Sequence, residues 1–408
     1  MALQDLNVKD KKVLVRVDFN VPLDKAYNIT DDTRMRKALP TIKYLLDHGA
    51  SVLLASHLGR PQKKKNDDGS INVQKFTLKH LVSHLQKLTN VPVHFAPNTT
   101  GGETEVQAER LNPGEILLLE NTRFDEGESK GSPEMALRLS RLADIYVNDA
   151  FGTAHRAHAS TTTVAQHFKK SEKSIGFLMQ TEIENANKVL KSPKRPVVAI
   201  VGGAKVSDKI KLLSRLIETV NGVCIGGGMA YTFIKAQGGS IGTSICEDDY
   251  LELALEILAK AKELGTDIHL PIDNKIADKF DQNANTQTVN SYEIPDNWMG
   301  LDIGVKSIAA FEKVILKAKT ILWNGPMGVF EMEAFANGTN SVAQAVAVAT
   351  ENGAFSLIGG GDSVAAINKA NLTDKVSFIS TGGGAMLEFL EGKVLPGIKA
   401  IQTEKKEI

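Results

Sequence analysis

Residues 197–217 read VVAIVGGAKVSDKIKLLSRLI. The run from Val197 to Val201 is apolar at every position, as in a strand covered on both faces. Gly202-Gly203 ends it, and the stretch from Lys209 to Ile217 carries apolar residues at helical spacing. A strand, a glycine turn and a helix in that order form the repeating unit of a parallel sheet.

The same unit recurs outward from this segment. The second half should hold further strands at Gly222 to Ile225, Thr320 to Trp323, Phe355 to Ile358 and Val376 to Ile379. The first half should hold Val13 to Asp18, Ser51 to Ala55, Ile116 to Leu119 and Asp144 to Val147. Helical patterns such as Arg34 to Leu46 and Leu251 to Lys262 lie between them. A chain of 408 residues exceeds one ordinary core. The pattern therefore predicts two α/β domains with parallel sheets. Leu178 to Leu190 reads as a helix joining them, ended by Ser192-Pro193, with the boundary near Gly176.

Composition narrows the functional classes. No apolar run approaches the roughly 18 residues of a membrane span. The N-terminus lacks a signal-peptide pattern. Two cysteines, Cys224 and Cys246, give no disulfide framework, so a reducing, cytoplasmic setting is expected. The formal net charge of zero gives no global preference for nucleic acid or membrane. The distribution is uneven, however. Eight of nine His and nine of eleven Arg precede residue 180, whereas 24 of 34 Gly follow it. Arginine grips phosphate and carboxylate bidentately. Glycine lets backbone amides approach phosphate oxygens.

Ligands of open parallel sheets bind at the carboxyl ends of strands. In the first half those ends lead into Asp18 and Asn20, His57 and Arg60, Arg123, and Arg156, with Arg34 opening a helix. Any one of these reads as an ordinary surface residue. Gathered at one edge, the cations would repel one another without a polyanion, and Asp18 and Asn20 would suit its hydroxyl groups. The inferred ligand is small, carries phosphate or carboxylate, and bears at least one hydroxyl.

In the second half the strands end in Gly202 to Lys209, Gly226 to Gly228, Asn324 to Gly328, Gly359 to Ser363 and Thr381 to Gly384. Five glycine junctions at one edge should offer backbone N–H groups to the phosphates of a nucleotide. Lys205 and Lys209, expected at i, i+4 on one helix face, suit the same phosphates. Asp362 either caps a helix or ligates the Mg²⁺ that accompanies the nucleotide. Glu331 either accepts from ribose hydroxyls or is simply exposed. The P-loop and dinucleotide-binding glycine signatures are absent, as is any Cys/His metal spacing.

These segments, with Arg16 to Pro22, Ala55 to Pro61, Val147 to His158 and Trp323 to Glu331, closely resemble the phosphoglycerate kinase family from near residue 5 onward. The resemblance implies two Rossmann-like three-layer domains joined by a hinge helix: residues 1–177 with the tail 396–408 for phosphoglycerate, and 178–395 for the nucleotide. It implies reversible, Mg²⁺-dependent phosphoryl transfer between 1,3-bisphosphoglycerate and ADP, in a monomer whose domains close. Asp18, Asn20, Arg34, His57, Arg60, Arg123 and Arg156 match the family's phosphoglycerate site. Lys205 and Lys209 match its phosphate-binding lysines. Gly300, Glu331, Gly360, Gly361, Asp362 and Ser363 match its nucleotide site, with Asp362 at the metal. Arg34 and Lys205 are assigned to the moving phosphoryl group, assisted by amides near Gly382 and Gly383. The turn Lys25-Ala26-Tyr27-Asn28 lacks the glycine often found there, and Met386 replaces a small residue.

Overall fold

In a computed structural model, which describes residues 2–404, β1 (Lys12–Arg16) is a central strand of the first sheet. The others are β2 (Ser51–Ala55), β3 (Val93–Phe95), β4 (Ile116–Leu118), β5 (Ile145–Asn148) and β6 (Lys173–Ile175). Their order is β3-β4-β2-β1-β5-β6, and every pair is parallel. β2, β4 and β5 are buried at every position, which is why they read as unbroken apolar runs. One face packs against the helix Thr33–Asp47 through Met35, Ala38, Ile42 and Leu45. The other face carries a second core containing Leu14, Leu53, Leu117 and Tyr146.

The second half repeats this plan with insertions. Its strands are β7 (Val197–Val201), β8 (Gly222–Ile225), β9 (Ser240–Ile241), β10 (Asp267–His269), β11 (Asp273–Ala277), β12 (Thr286–Asn290) and β13 (Glu293–Ile294), followed by β14 (Met299–Ile303), β15 (Thr320–Asn324), β16 (Phe355–Ile358) and β17 (Phe378–Ile379). The parallel sheet runs β10-β8-β7-β15-β16-β17. The antiparallel sheet β12-β11-β14 and the short pair β13-β9 are additions that the strand–helix pattern did not foretell. β12 is mostly exposed and polar, so it shows no apolar run. The short strands β3, β6 and β10, three residues each and carrying His or Lys, show no apolar run either.

The chain divides into two compact units. One comprises the chain up to Ile183 and from Val394 onward, and the other is Glu184–Lys393. The helix Phe177–Leu190 runs from the first into the second. The helix Pro396–Gln402 belongs to the first unit, where the Gly397 N–H donates to Ala154 O at 2.9 Å and Asn148 donates to Gly397 O at 3.4 Å. Tyr27 stands where a turn glycine is common and adopts φ 63°, in the left-handed region. Its ring stacks on His80 with centroids 4.6 Å apart.

In the second unit, Phe311 is fully buried in the core that includes Ile308, Ile321, Trp323 and Val346. Phe311→Ala should destabilise this unit by about 3–5 kcal/mol, the range for deleting a buried aromatic ring. Urea titration of the variant checks this, and an unchanged midpoint would contradict the packing described.

Candidate functional sites at the two sheet edges

In each sheet the strand order reverses beside the strand that starts the unit. The reversal lies between β1 and β5 in the first sheet and between β7 and β15 in the second. Crevices at such reversals are where open α/β sheets bind ligands. Arg16, Ala55 and Asn148 are register neighbours, so the loops after β1, β2 and β5 leave from one level.

The expected cationic residues collect there. Arg34 donates to Asp18 Oδ2 at 2.6 Å, so the aspartate first neutralises a neighbouring arginine. Asn20 accepts the Gly59 N–H at 2.7 Å, tying the loop after β1 to the loop after β2. Arg123 donates to Gly59 O at 2.8 Å. Asn121 laces the same loops, with its side chain bonded to Leu58 and to Phe76 O. Arg60 and Arg156 are exposed at the ends of their loops. His57 is buried and its Nδ1 accepts from Arg16 at 3.3 Å, which leaves the proton on Nε2. Burial foremost, then Arg16, Arg123, Arg34 and His158, hold this imidazole well below its ordinary range, so it is neutral.

Two participants escaped sequence reasoning. Arg16 is fully buried, donating to Ser160 Oγ at 2.8 Å and to Val17 O. Glu128 is also fully buried and lies 3.9 Å from Arg16. The available signal was a charge ending an otherwise apolar strand.

In the second unit a cavity of about 490 Å³ is lined by Gly203, Tyr231, Phe280, Gly300, Glu331 and Asp362, among others. Its walls are backbone and apolar side chains, with carboxylates at Glu331 and Asp362. Gly300 is required at its position, because a Cβ there would meet the Tyr231 hydroxyl at 1.9 Å. Behind it, Tyr231 accepts from Asn274 at 3.0 Å, and Asn274 accepts from Ser291.

Several expectations need correction. Lys205 and Lys209 do not share a helix face, because the helix begins only at Ile210 and Lys205 lies in the preceding loop. Glu247 accepts both the N–H and the hydroxyl of Ser207, tying that loop to a distant segment. Lys205 is exposed, whereas Lys209 is half-buried and donates to Asn324 Oδ1. Burial lowers the Lys209 ammonium below its ordinary range, and Asp362 partly offsets this. Asp362 is no N-cap, since the cap position is Gly360 and Asp362 sits exposed in the first helical turn.

Several of the glycine amides are committed within the protein. Gly202 donates to Asn324 O, Gly226 to Val201 O, Gly227 to Met327 O and Gly359 to Trp323 O. Gly325 donates to Ser363 Oγ, and Ser363 is buried in that role. Gly382 donates to Ser380 Oγ at 3.0 Å, so that amide is engaged inside its own loop. Gly202 serves close backbone approach, because a Cβ there would fall 2.0 Å from Pro326 O. Gly383 is the N-cap of the helix Gly384–Leu390, while Gly361 is exposed.

The phosphoglycerate kinase family model matches residues 3–393. The chain belongs to the phosphoglycerate kinase family. A phosphoglycerate kinase of Porphyromonas gingivalis is 48% identical over 98% of this chain and 100% of its own. A cytosolic phosphoglycerate kinase of Nicotiana tabacum is 50% identical over 98% of this chain and 97% of its own. The solved phosphoglycerate kinase of Coxiella burnetii superposes with a TM-score of 0.87 at 42% identity, covering 100% of both chains. Membership makes this chain a glycolytic phosphotransferase with a carboxyl group as acceptor.

Two buried carboxylates of this phosphoglycerate kinase family member should shape its acid–base stability: Asp149 in the first unit, which burial pushes up to about 6, and Asp302 in the second. Burial pushes Asp302, which adjoins Leu301 of the cavity, up to about 7, while the Gly338 and Ile303 amides and Lys275 pull it back. Its folded value exceeds the unfolded one, so its contribution to stability falls as pH rises from about 4 to about 7. Asp302→Asn should flatten the melting temperature against pH across that window. A slope equal to the parent's would assign the dependence to another group.

Proposed function

We propose that the chain transfers the acyl phosphate of 1,3-bisphosphoglycerate to ADP, and the reverse, with phosphoglycerate held at the β1–β5 edge and nucleotide at the β7–β15 edge. The observation that carries this reading is the convergence of Arg34, Arg60, Arg123 and Arg156 with neutral His57 around one crevice. Such a set is arranged for a small polyanion. The apolar cavity beside Gly300, with Glu331 at its border, suits a purine base and ribose. Lys209 and Gly360 to Asp362 suit the phosphates.

The chemistry needs no general base. In the direction of ATP consumption the acceptor is a carboxylate, already ionised at pH 7. A P–O bond to this carboxylate forms as the bond to the ADP oxygen breaks. What the reaction demands is alignment and neutralisation of charge on the moving group. Lys205 and Arg34 would supply that charge, with the Gly383 amide as a further donor. Asp362 suits Mg²⁺, which needs only one or two carboxylates in addition to nucleotide phosphates. When bound, the ion would neutralise phosphate charge. Substrates held on separate units must be brought together with water excluded, so closure of the two units belongs to the reading. A cytoplasmic monomer completes it.

A coupled assay with ATP, Mg²⁺ and 3-phosphoglycerate should show ADP release with an acyl-phosphate trap present. Folded protein without that activity would overturn the proposal. Lys205→Ala should lower turnover by roughly two orders of magnitude or more with modest change in KM, the scale of losing a charge that acts on the transition state. Near-normal turnover would remove Lys205 from the role. Arg60→Ala should raise KM for 3-phosphoglycerate, and a defect confined to kcat would move Arg60 to the transition-state set.

A further inference from the structure

Beneath the arginine crevice lies a charge of the wrong sign for an anion site. Glu128 is fully buried, and its carboxylate is surrounded by donors. Ser160 Oγ donates to Oε1 at 2.6 Å and the Ser160 N–H to Oε2 at 2.9 Å. Thr122 Oγ1 donates to Oε1 at 3.3 Å. Arg16 and His158 Nδ1 each stand 3.9 Å from Oε1. Its field also reaches Arg123. Thr122 precedes Arg123, and Ser160 follows the segment with Arg156 and His158, so one carboxylate joins two of the loops that form the crevice.

Resting on the phosphoglycerate reading of that crevice, we propose that Glu128 is a positioning residue and internal counter-charge, which holds the cationic loops together when the site is empty and competes with the incoming anion for their field. Without it, Arg16, Arg34, Arg60, Arg123 and Arg156 share one edge, and Asp18, paired with Arg34, offsets only part of their repulsion. With it, the empty site is stable, but every bound anion meets a fixed negative charge behind the cations. Stability of the free protein and affinity for substrate are therefore set against each other by this residue.

Glu128→Gln separates the two effects. The amide has the carboxylate's shape, and rotated about its last bond it still accepts the Ser160 N–H while its NH2 faces Ser160 Oγ and Thr122 Oγ1. The charge is lost, and these two hydroxyls turn from donors to acceptors toward residue 128. The variant should melt below the parent when unliganded. Its affinity for 3-phosphoglycerate, read by titration calorimetry and as KM, should rise about tenfold, the order set by one charge over about 10 Å at an effective dielectric constant near 20. KM for ATP should stay at the parent's value, and inorganic phosphate should raise the variant's melting temperature more than the parent's.

Unchanged or weaker 3-phosphoglycerate binding in a folded variant with a normal ATP KM would overturn the proposal. If the variant folds only with phosphate or 3-phosphoglycerate present, the anion has replaced the missing organising interaction and the proposal stands. If it folds with neither, Glu128 is only a structural residue and the proposal falls. Failure of the parent to bind 3-phosphoglycerate would sink the functional reading instead.

Discussion

Parallel strands cannot be joined by a hairpin, because each connection must return to the starting end of the sheet. Every strand therefore delivers its outgoing loop to the same edge. This constraint turns residues scattered over more than a hundred positions into neighbours at one edge. In the first unit it brings Asp18, His57, Arg123 and Arg156 to one level. In the second it brings together the loops after β7, β8, β15 and β16. Both edges are built before any side chain is chosen for chemistry.

What each edge then requires differs. The first must hold positive charge without bursting apart. Pairing does this: Arg34 with Asp18, and Arg16 with Ser160, His57 and Glu128. The second must bring backbones close enough to form a thin wall. Gly202 and Gly325 press directly on each other, and each would clash with a side chain of even one carbon. The loops hold this geometry by bonding among themselves, so several of their amides are spent on structure.

The central strands were legible because burial on both faces leaves an unbroken apolar run, as in Val197 to Val201 and Ser51 to Ala55. The edge strand β17 falls within the expected Val376 to Ile379, but β3, β6, β10 and the inserted antiparallel sheet were not legible, since short or exposed segments such as Thr286–Asn290 carry no such run. At the candidate sites, residue types that cluster at strand ends gave themselves away. Glu128 did not, because a buried carboxylate and a surface one look alike in sequence. Nor did the role of Ser363, whose hydroxyl faces inward to Gly325. The helix face assigned to Lys205 and Lys209 failed because the helix starts only at Ile210, after a loop whose Ser207 is bonded to Glu247 far along the chain.

The helix Pro396–Gln402 gives the first unit a history as well as a shape. Its contacts with Ala154 and Asn148 link it to the loop after β5. On a ribosome, the first 183 residues emerge long before this helix exists, and the whole of Glu184–Lys393 is made in between. The unit that starts first is therefore the one completed last. Until then the loop that carries Arg156 lacks one of its supports, so the candidate crevice is finished only after the whole second unit has been made.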